Sequence, residues 1–243
     1  MAATIDIRSL ILAGGQSSRM GSPKCLLSFP RASGDIPLIL QTLLLHLEAA
    51  RCHKNSKTRA IMISVRNEAQ KKEIEDALQP HLDNQPIQVE FVLDTQADCG
   101  PVMGLVAAHK VDEQAHWLVT GCDYPLLETA SLLQLSAEHC SAQSAITCFR
   151  NQDGWTEPLL AIWSPYALER LLRMSSSNPD IGPNRVIRAF ADEERGFTRL
   201  PAFSSGVRMV SPQDELWIKS VDTPAEWDEA RKNIYTRAAA PGT

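Results

Sequence analysis

The sequence predicts an α/β fold, a single doubly wound and mostly parallel sheet with helices on both faces. Three observations carry that prediction. Short β-rich runs alternate with helical patterns along the chain, which is how strand-helix-strand units read. The first helical stretch sets Leu40, Leu43, Leu44 and Leu47 at i, i+3, i+4 and i+7, a face for a core to bury. No internal repeat, and no linker long enough to divide the 243 residues, interrupts the alternation.

In chain order, a strand over 9–12 runs into glycines, and a surface loop over 31–36 (RASGDI) precedes the leucine-striped helix over 37–50. The strand over 60–65 leads to a helix over 68–78. Its run Lys71-Lys72-Glu73-Ile74-Glu75-Asp76 is a solvated face with opposite charges at helical spacing. A strand over 87–93 is followed by a helix over 102–110, entered through Pro101, which is sound chemistry at a first helical position. Next come a strand over 117–120, a helix over 129–138 and strands over 144–149 and 159–163. Helices over 165–173 and 184–191 are separated by 175–183 (SSSNPDIGP), whose serines, prolines and glycine break helix. A strand over 216–221 and a helix over 224–233 close the fold. Residues 1–236 are expected to form one domain, with 237–243 a disordered tail.

Composition narrows the function classes. The net charge of -5 argues against a broad basic face for nucleic acid, whose binding rests on many phosphate contacts. A small anionic ligand needs only a local basic site. The six cysteines (Cys25, Cys52, Cys99, Cys122, Cys140, Cys148) form no CxxC pair and no zinc-type spacing, the pattern of reduced cytosolic thiols. Neither an N-terminal signal pattern nor a stretch of membrane-crossing length is present, so the cytoplasm is the expected location. The six histidines make no HxxxH or HxE constellation, and no G-x-S-x-G elbow occurs.

The polar residues that directly follow strands are the candidate site, because ligands of open α/β sheets sit beyond the carboxyl ends of the strands. After Leu12 the chain reads Ala13-Gly14-Gly15-Gln16-Ser17-Ser18-Arg19-Met20-Gly21-Ser22-Pro23-Lys24. Adjacent glycines do not make a GxGxxG fingerprint, and Val65 is followed by Arg66 rather than an acid. Lys24, three residues after Gly21 with Pro23 between, does not make a P-loop either. What remains is backbone N–H groups that glycine leaves open to an anion, with Arg19 and Lys24 to add charge. Pro23 fixes its own φ and disfavours helix at Ser22, so Lys24 is expected to project from a stiffened loop. A Gly/Ser turn with two solvated cations would read the same way.

The stretch LAGGQSSRMGSPK closely resembles the LAGGxSxRMGxxK signature of the MobA-like nucleotidyltransferases, the family that includes molybdenum cofactor guanylyltransferase. Three further segments match in the family's order. Asp94, followed at Gly100 by GPVMGL, resembles the D…GPLxGI segment, whose aspartate contacts the nucleotide. Cys122-Asp123-Tyr124-Pro125 resembles CDxP, whose aspartate is the Mg²⁺ ligand. An aspartate stopped short of a helix by Pro125 is placed to hold a cation at the sheet edge, although an Asp turn reads alike. Ser220-Val221-Asp222-Thr223-Pro224-Ala225-Glu226 resembles N[VI]NTPED, with Ser220 and Asp222 in place of the two asparagines. Thr223 and Glu226 read as a capping box with Pro224 at the first helical position, which leaves Asp222 for the site. A softer match, Thr156-Glu157-Pro158-Leu159-Leu160-Ala161-Ile162-Trp163, is similar to EPLxAxY and is placed on the acceptor side or read as an apolar strand. Arg66 departs from an asparagine that some guanylyltransferases have there.

The resemblance implies a Rossmann-like nucleotidyltransferase fold and a Mg²⁺-dependent enzyme. It transfers GMP from GTP to the phosphate of molybdopterin cofactor and releases pyrophosphate. Implied catalytic residues are Arg19, Lys24 and Asp123; implied nucleotide contacts are Leu12, Ala13, Gly14, Gly15, Lys24, Asp94 and Asp123; Asp123 and Asp222 hold the metal. The implied partners are the two small-molecule substrates, with neither nucleic acid nor membrane, and the protein is a monomer or weak homo-oligomer. A cytidylyltransferase or sugar-phosphate nucleotidyltransferase keeps the same fold. A nucleotide-binding module without turnover is the reading from another class.

Overall fold

The computed structural model describes residues 5–15, 19–52, 60–82, 87–94, 100–178, 181–195 and 206–239. Nine strands and seven α-helices lie in these segments. The strands are β1 (Ile7–Leu12), β2 (Ser28–Phe29), β3 (Ile36–Pro37), β4 (Ile61–Val65), β5 (Val89–Leu93), β6 (His116–Gly121), β7 (Ile146–Arg150), β8 (Thr156–Trp163) and β9 (Val207–Val210). The helices are α1 (Leu38–Cys52), α2 (Glu68–Leu82), α3 (Val102–Val111), α4 (Thr129–Ala142), α5 (Pro165–Ser177), α6 (Pro183–Arg195) and α7 (Pro224–Ala239).

Seven strands form one sheet in the order β5-β4-β1-β6-β8-β7-β9, while β2 and β3 pair separately. Every pairing in the large sheet is parallel except those of β8, which runs antiparallel to both β6 and β7. The alternation of side chains along each strand feeds two cores. Leu10, Met62, Trp117 and Ile146 face α3, α5 and α6, where Leu105, Leu168 and Phe190 meet them. Ile11, Ile63 and Val65 face α1 and α2, and Leu118, Leu160 and Ile162 face α4. Leu40, Leu43 and Leu47 of the leucine stripe are buried as the spacing predicts, and Leu44 is partly so. The doubly wound, mostly parallel sheet is therefore as expected. No helix among the described residues is long and apolar enough to cross a membrane.

Three segments differ from the sequence reading. The expected strand over 216–221 is a one-turn 3-10 helix at Glu215–Ile218, because the Asp214 carboxylate accepts from Leu216 N at 2.9 Å and starts the turn. Its apolar residues, Trp217 and Ile218, plug the core under α4 instead of pairing, and the sheet edge is β9. The serines of 175–177 do not end α5, since their hydroxyls donate back to the carbonyls of Leu172 and Arg173 and ride on the helix. At the other end of the chain α7 continues to Ala239, with the Arg237 guanidinium paired to Glu128 and Asp214, so helix enters the stretch expected to be disordered. Residues 240–243 lie outside the described segments.

Two histidines are sealed in the core. His46 Nε2 lies 2.9 Å from Thr120 Oγ1, and burial pushes its pKa down to about 3. His139 lies 2.8 Å from Thr147 Oγ1 and 2.8 Å from His116 Nδ1; burial and then His116 push it down to about 3. An unfolded histidine binds its proton near pH 6.5. The stability these groups contribute is thus fully present above that pH and is lost as pH falls towards 3, at about 1.4 kcal/mol per pH unit for each. We predict that His46→Gln, which can still bond Thr120, flattens the dependence of unfolding free energy on pH between about 6 and 4 by about that amount. Denaturant titrations across the range measure it; an unaltered slope would contradict the assignment.

Candidate functional site

Several expected site residues stand at or just after the carboxyl ends of parallel strands, so the topology draws them to one edge of the sheet. β1 delivers Leu12, Ala13, Gly14 and Gly15; β5 delivers Asp94; β6 delivers Asp123. Residues 16–18 of the opening loop lie outside the described segments. Leu12, Ala13, Gly14, Gly15, Arg19, Lys24, Asp94, Asp123 and Asp222 all line one cleft of about 410 Å³. Lys24 does not sit on open loop as expected. It begins a single 3-10 turn, Lys24–Leu26, which Pro23 precedes in an extended conformation.

At the centre, Lys24 Nζ is 2.5 Å from Asp222 Oδ1 and 3.2 Å from Asp123 Oδ2, and an Arg19 guanidinium nitrogen is 3.3 Å from Asp222 Oδ1. Burial depresses the Lys24 pKa, but the hydrogen bonds and charges of Asp222 and Asp123 outweigh it and leave it above the ordinary value. The two carboxylates divide. Burial raises Asp123, only partly offset by Lys24, whereas the Lys24 hydrogen bond lowers the more exposed Asp222. Main chain fixes their spacing, since Val221 N donates to the Asp123 carbonyl at 2.9 Å. The capping box forms as its residues predict: Glu226 Oε2 accepts from the N–H groups of Asp222 and Thr223 at 2.7 and 2.8 Å, and Thr223 Oγ1 receives Glu226 N at 3.4 Å. Tyr124 is buried and donates to Glu157 Oε2 at 3.0 Å, which ties the loop after β6 to β8.

The half of the cleft at the ends of β1, β4 and β5 is built on close approach. A Cβ on Gly14 would lie 2.6 Å from Asp94 Oδ2, and one on Gly121 would lie 2.6 Å from Asp123 Oδ1. Asp94 accepts from Ser64 Oγ at 2.5 Å; burial raises its pKa, while Ser64 and Arg66 hold it down. Sequence reasoning missed three supports of this half. Ser64, polar in the apolar strand IMISV, was a visible signal. Gly104 gave a weaker one; a Cβ there would come within 2.4 Å of Ser64 Oγ. Gln70 gave none. It is buried on α2, donates to the Ala13 carbonyl at 2.8 Å and accepts from Arg66 N at 2.8 Å, stapling the loops after β1 and β4 together.

No metal-like cluster of three or more His, Cys, Asp or Glu side chains occurs among the described residues. The pair Asp123 and Asp222 nevertheless suits a hard divalent ion, because the Lys24 ammonium already sits between them as a stand-in cation. Two carboxylates with the remaining ligands from phosphates and water is the usual provision for Mg²⁺.

A family model described as MobA-like NTP transferase domain matches residues 9–195. A probable molybdenum cofactor guanylyltransferase of Rhodopirellula baltica is 28% identical over 230 residues, covering 93% of this chain and 92% of that protein. The crystal structure of molybdopterin-guanine dinucleotide biosynthesis protein A from Archaeoglobus fulgidus superposes with a TM-score of 0.64 at 17% identity, over 94% of this chain and 99% of that one. Rv0371c from Mycobacterium tuberculosis, solved in complex with manganese, superposes at 0.52 with 18% identity over 93% and 98% of the two chains.

Gly14→Ala tests the close approach. The added methyl must push the Asp94 carboxylate away, and overpacking of this kind costs about 1–3 kcal/mol. Nucleotide affinity, measured by calorimetry, should fall about tenfold or more on that scale. Wild-type affinity in the variant would show that this contact does not shape the nucleotide pocket.

Proposed function

The chain belongs to the MobA-like NTP transferase family, and from that premise we propose that this nucleotidyltransferase is a Mg²⁺-dependent guanylyltransferase acting on molybdopterin cofactor. The phosphate of the acceptor attacks the α-phosphorus of GTP; the new P–O bond forms as the bond to the β-phosphate oxygen breaks, and pyrophosphate leaves. Such transfers depend on positioning and charge neutralisation, and no covalent enzyme nucleophile is required. The choice of GTP and of the acceptor is supported by the name of the Rhodopirellula baltica relative, which aligns over nearly the whole chain.

The observation that carries the chemistry is the Asp123–Lys24–Asp222 cluster. Asp123 and Asp222 would hold a divalent ion, which when bound would supply neutralisation of the charge developing on the phosphates. Lys24 gives up its place between the two carboxylates, and its ammonium, charged throughout the neutral range, turns with Arg19 to the triphosphate and the departing pyrophosphate. The backbone of Leu12, Ala13, Gly14 and Gly15 receives the nucleotide, and the half-buried Asp94 accepts its hydrogen-bond donors. In this reading the enzyme works in the cytoplasm as a monomer or weak homo-oligomer, with neither nucleic acid nor membrane as partner.

Pyrophosphate release assayed with each of the four ribonucleoside triphosphates, Mg²⁺ and molybdopterin cofactor should occur with GTP and depend on the acceptor. Release with CTP or with a sugar phosphate alone would overturn the substrate assignment. Asp123→Asn should lower turnover about a hundredfold or more, the scale for loss of one preorganised electrostatic group, with little change in thermal stability. Wild-type turnover in that variant would remove Asp123 from the metal site. Lys24→Met separates seat from occupant: without its ammonium the two carboxylates should bind Mn²⁺ more tightly in the absence of nucleotide, read by paramagnetic resonance of the free ion. Weaker binding would mean that Lys24 does not occupy the cation seat.

A further inference from the structure

We propose that Cys25 and Cys122 form an oxidisable dithiol on the floor of the cleft, which closes to a disulfide and arrests the enzyme with Lys24 held over the metal seat. The inference rests on the site reading above for its consequence, though not for the disulfide itself.

The two cysteines come from distant parts of the chain and meet at the centre of the site. Cys25 directly follows Lys24 and is 2% exposed; Cys122 directly precedes Asp123 and is 8% exposed. Both line the same cleft and belong to the same apolar cluster beneath it. The two thiols lie near enough to influence one another, and both are unoxidised. The remaining described cysteines are placed differently, Cys52 and Cys140 exposed on α1 and α4 and Cys148 sealed in the core on the other face of the sheet.

Hydrogen peroxide entering the cleft is the oxidant. One thiol sulfur attacks a peroxide oxygen, the O–O bond breaks, and a sulfenic acid and water result. The second sulfur attacks the first, the S–S bond forms as the S–O bond breaks, and a second water carries off the hydroxyl and the remaining thiol proton. The dithiol loses two electrons to the peroxide, and a thiol reductant reverses the change. Transient disulfides of this redox-responsive kind are the sort found in reducing compartments.

The consequence follows from the neighbours. A disulfide brings the sulfurs to about 2.05 Å, closer than any thiol contact, and so draws the Lys24 turn onto the loop after β6. Lys24 and Asp123 are already joined at 3.2 Å. Tightening that approach opposes the exchange the reaction requires, in which the ammonium leaves the carboxylates and a metal ion replaces it. Bound nucleotide and metal, by filling the cleft, should shield the pair from the oxidant.

The test treats the reduced full-length protein with hydrogen peroxide and reads three things: the Cys25–Cys122 linked peptide by mass spectrometry after alkylation, Mn²⁺ binding by paramagnetic resonance, and pyrophosphate release. We expect the linked peptide to accumulate as Mn²⁺ binding and turnover are lost together, and dithiothreitol to restore both. Cys25→Ser and Cys122→Ser should each keep, after peroxide, the Mn²⁺ binding and turnover they have before it; alanine at either position serves if serine does not fold. Inactivation of the wild type without the linked peptide, or equal peroxide sensitivity in the variants, would overturn the proposal. If the reduced protein turns over none of the triphosphates, the substrate reading fails, while the linked peptide and Mn²⁺ binding still decide the disulfide.

Discussion

Two carboxylates, one from the middle of the chain and one from near its end, are forced together at one sheet edge, and the rest of the site is organised around that repulsion. Asp123 and Asp222 each lie within hydrogen-bond reach of Lys24, which is 99 residues from the first and 198 from the second. Like charges this close in a half-buried setting destabilise the fold unless a cation sits between them. Lys24 supplies it in the structure; in our proposal a metal ion takes that role once the nucleotide brings phosphates for Lys24 to meet. The unequal titration of the carboxylates follows from burial: Asp123, deep at the end of β6, is raised, while the more exposed Asp222 is lowered by the ammonium.

The sheet divides the cleft in two. On one side of β6 lie β1, β4 and β5, all parallel, whose ends carry Gly14, Gly15, Ser64, Arg66 and Asp94. On the other lies β8, the antiparallel strand, which enters the same edge from its beginning and sets Glu157 against Tyr124. Asp123 stands at the boundary. The proposed dithiol lies under this boundary, where a small displacement reaches both Lys24 and Asp123.

Much of this was legible in the residues. The loop that carries the glycines, Arg19 and Lys24 marked the cleft, and so did the strand-end aspartates, because in an open α/β sheet the carboxyl end of a strand is a location as well as a sequence position. The capping box Thr223/Glu226 was visible because both halves of its hydrogen bonding lie within one turn. Gln70 was invisible because its partners, Ala13 and Arg66, are brought to it only by strand order. The pairing of Cys25 with Cys122 was invisible for the same reason, and the wide scatter of cysteines argued only against local motifs. The segment over 216–221 misled for the opposite reason. Its apolar residues satisfy the core equally well from a 3-10 turn once Asp214 caps it, and burial does not depend on pairing.

The sequence by itself therefore determined which residue types stand at the strand ends, where the helices begin, and which family's chemistry the loops carry, since each of these depends on neighbours within a few residues. The tertiary structure alone decided which carboxylates share a cation, how closely Gly14 and Gly121 let Asp94 and Asp123 approach, and which thiols lie under the same cleft. Those outcomes depend on strand order and on distances of a few ångströms between segments far apart in the chain, and no local pattern encodes them.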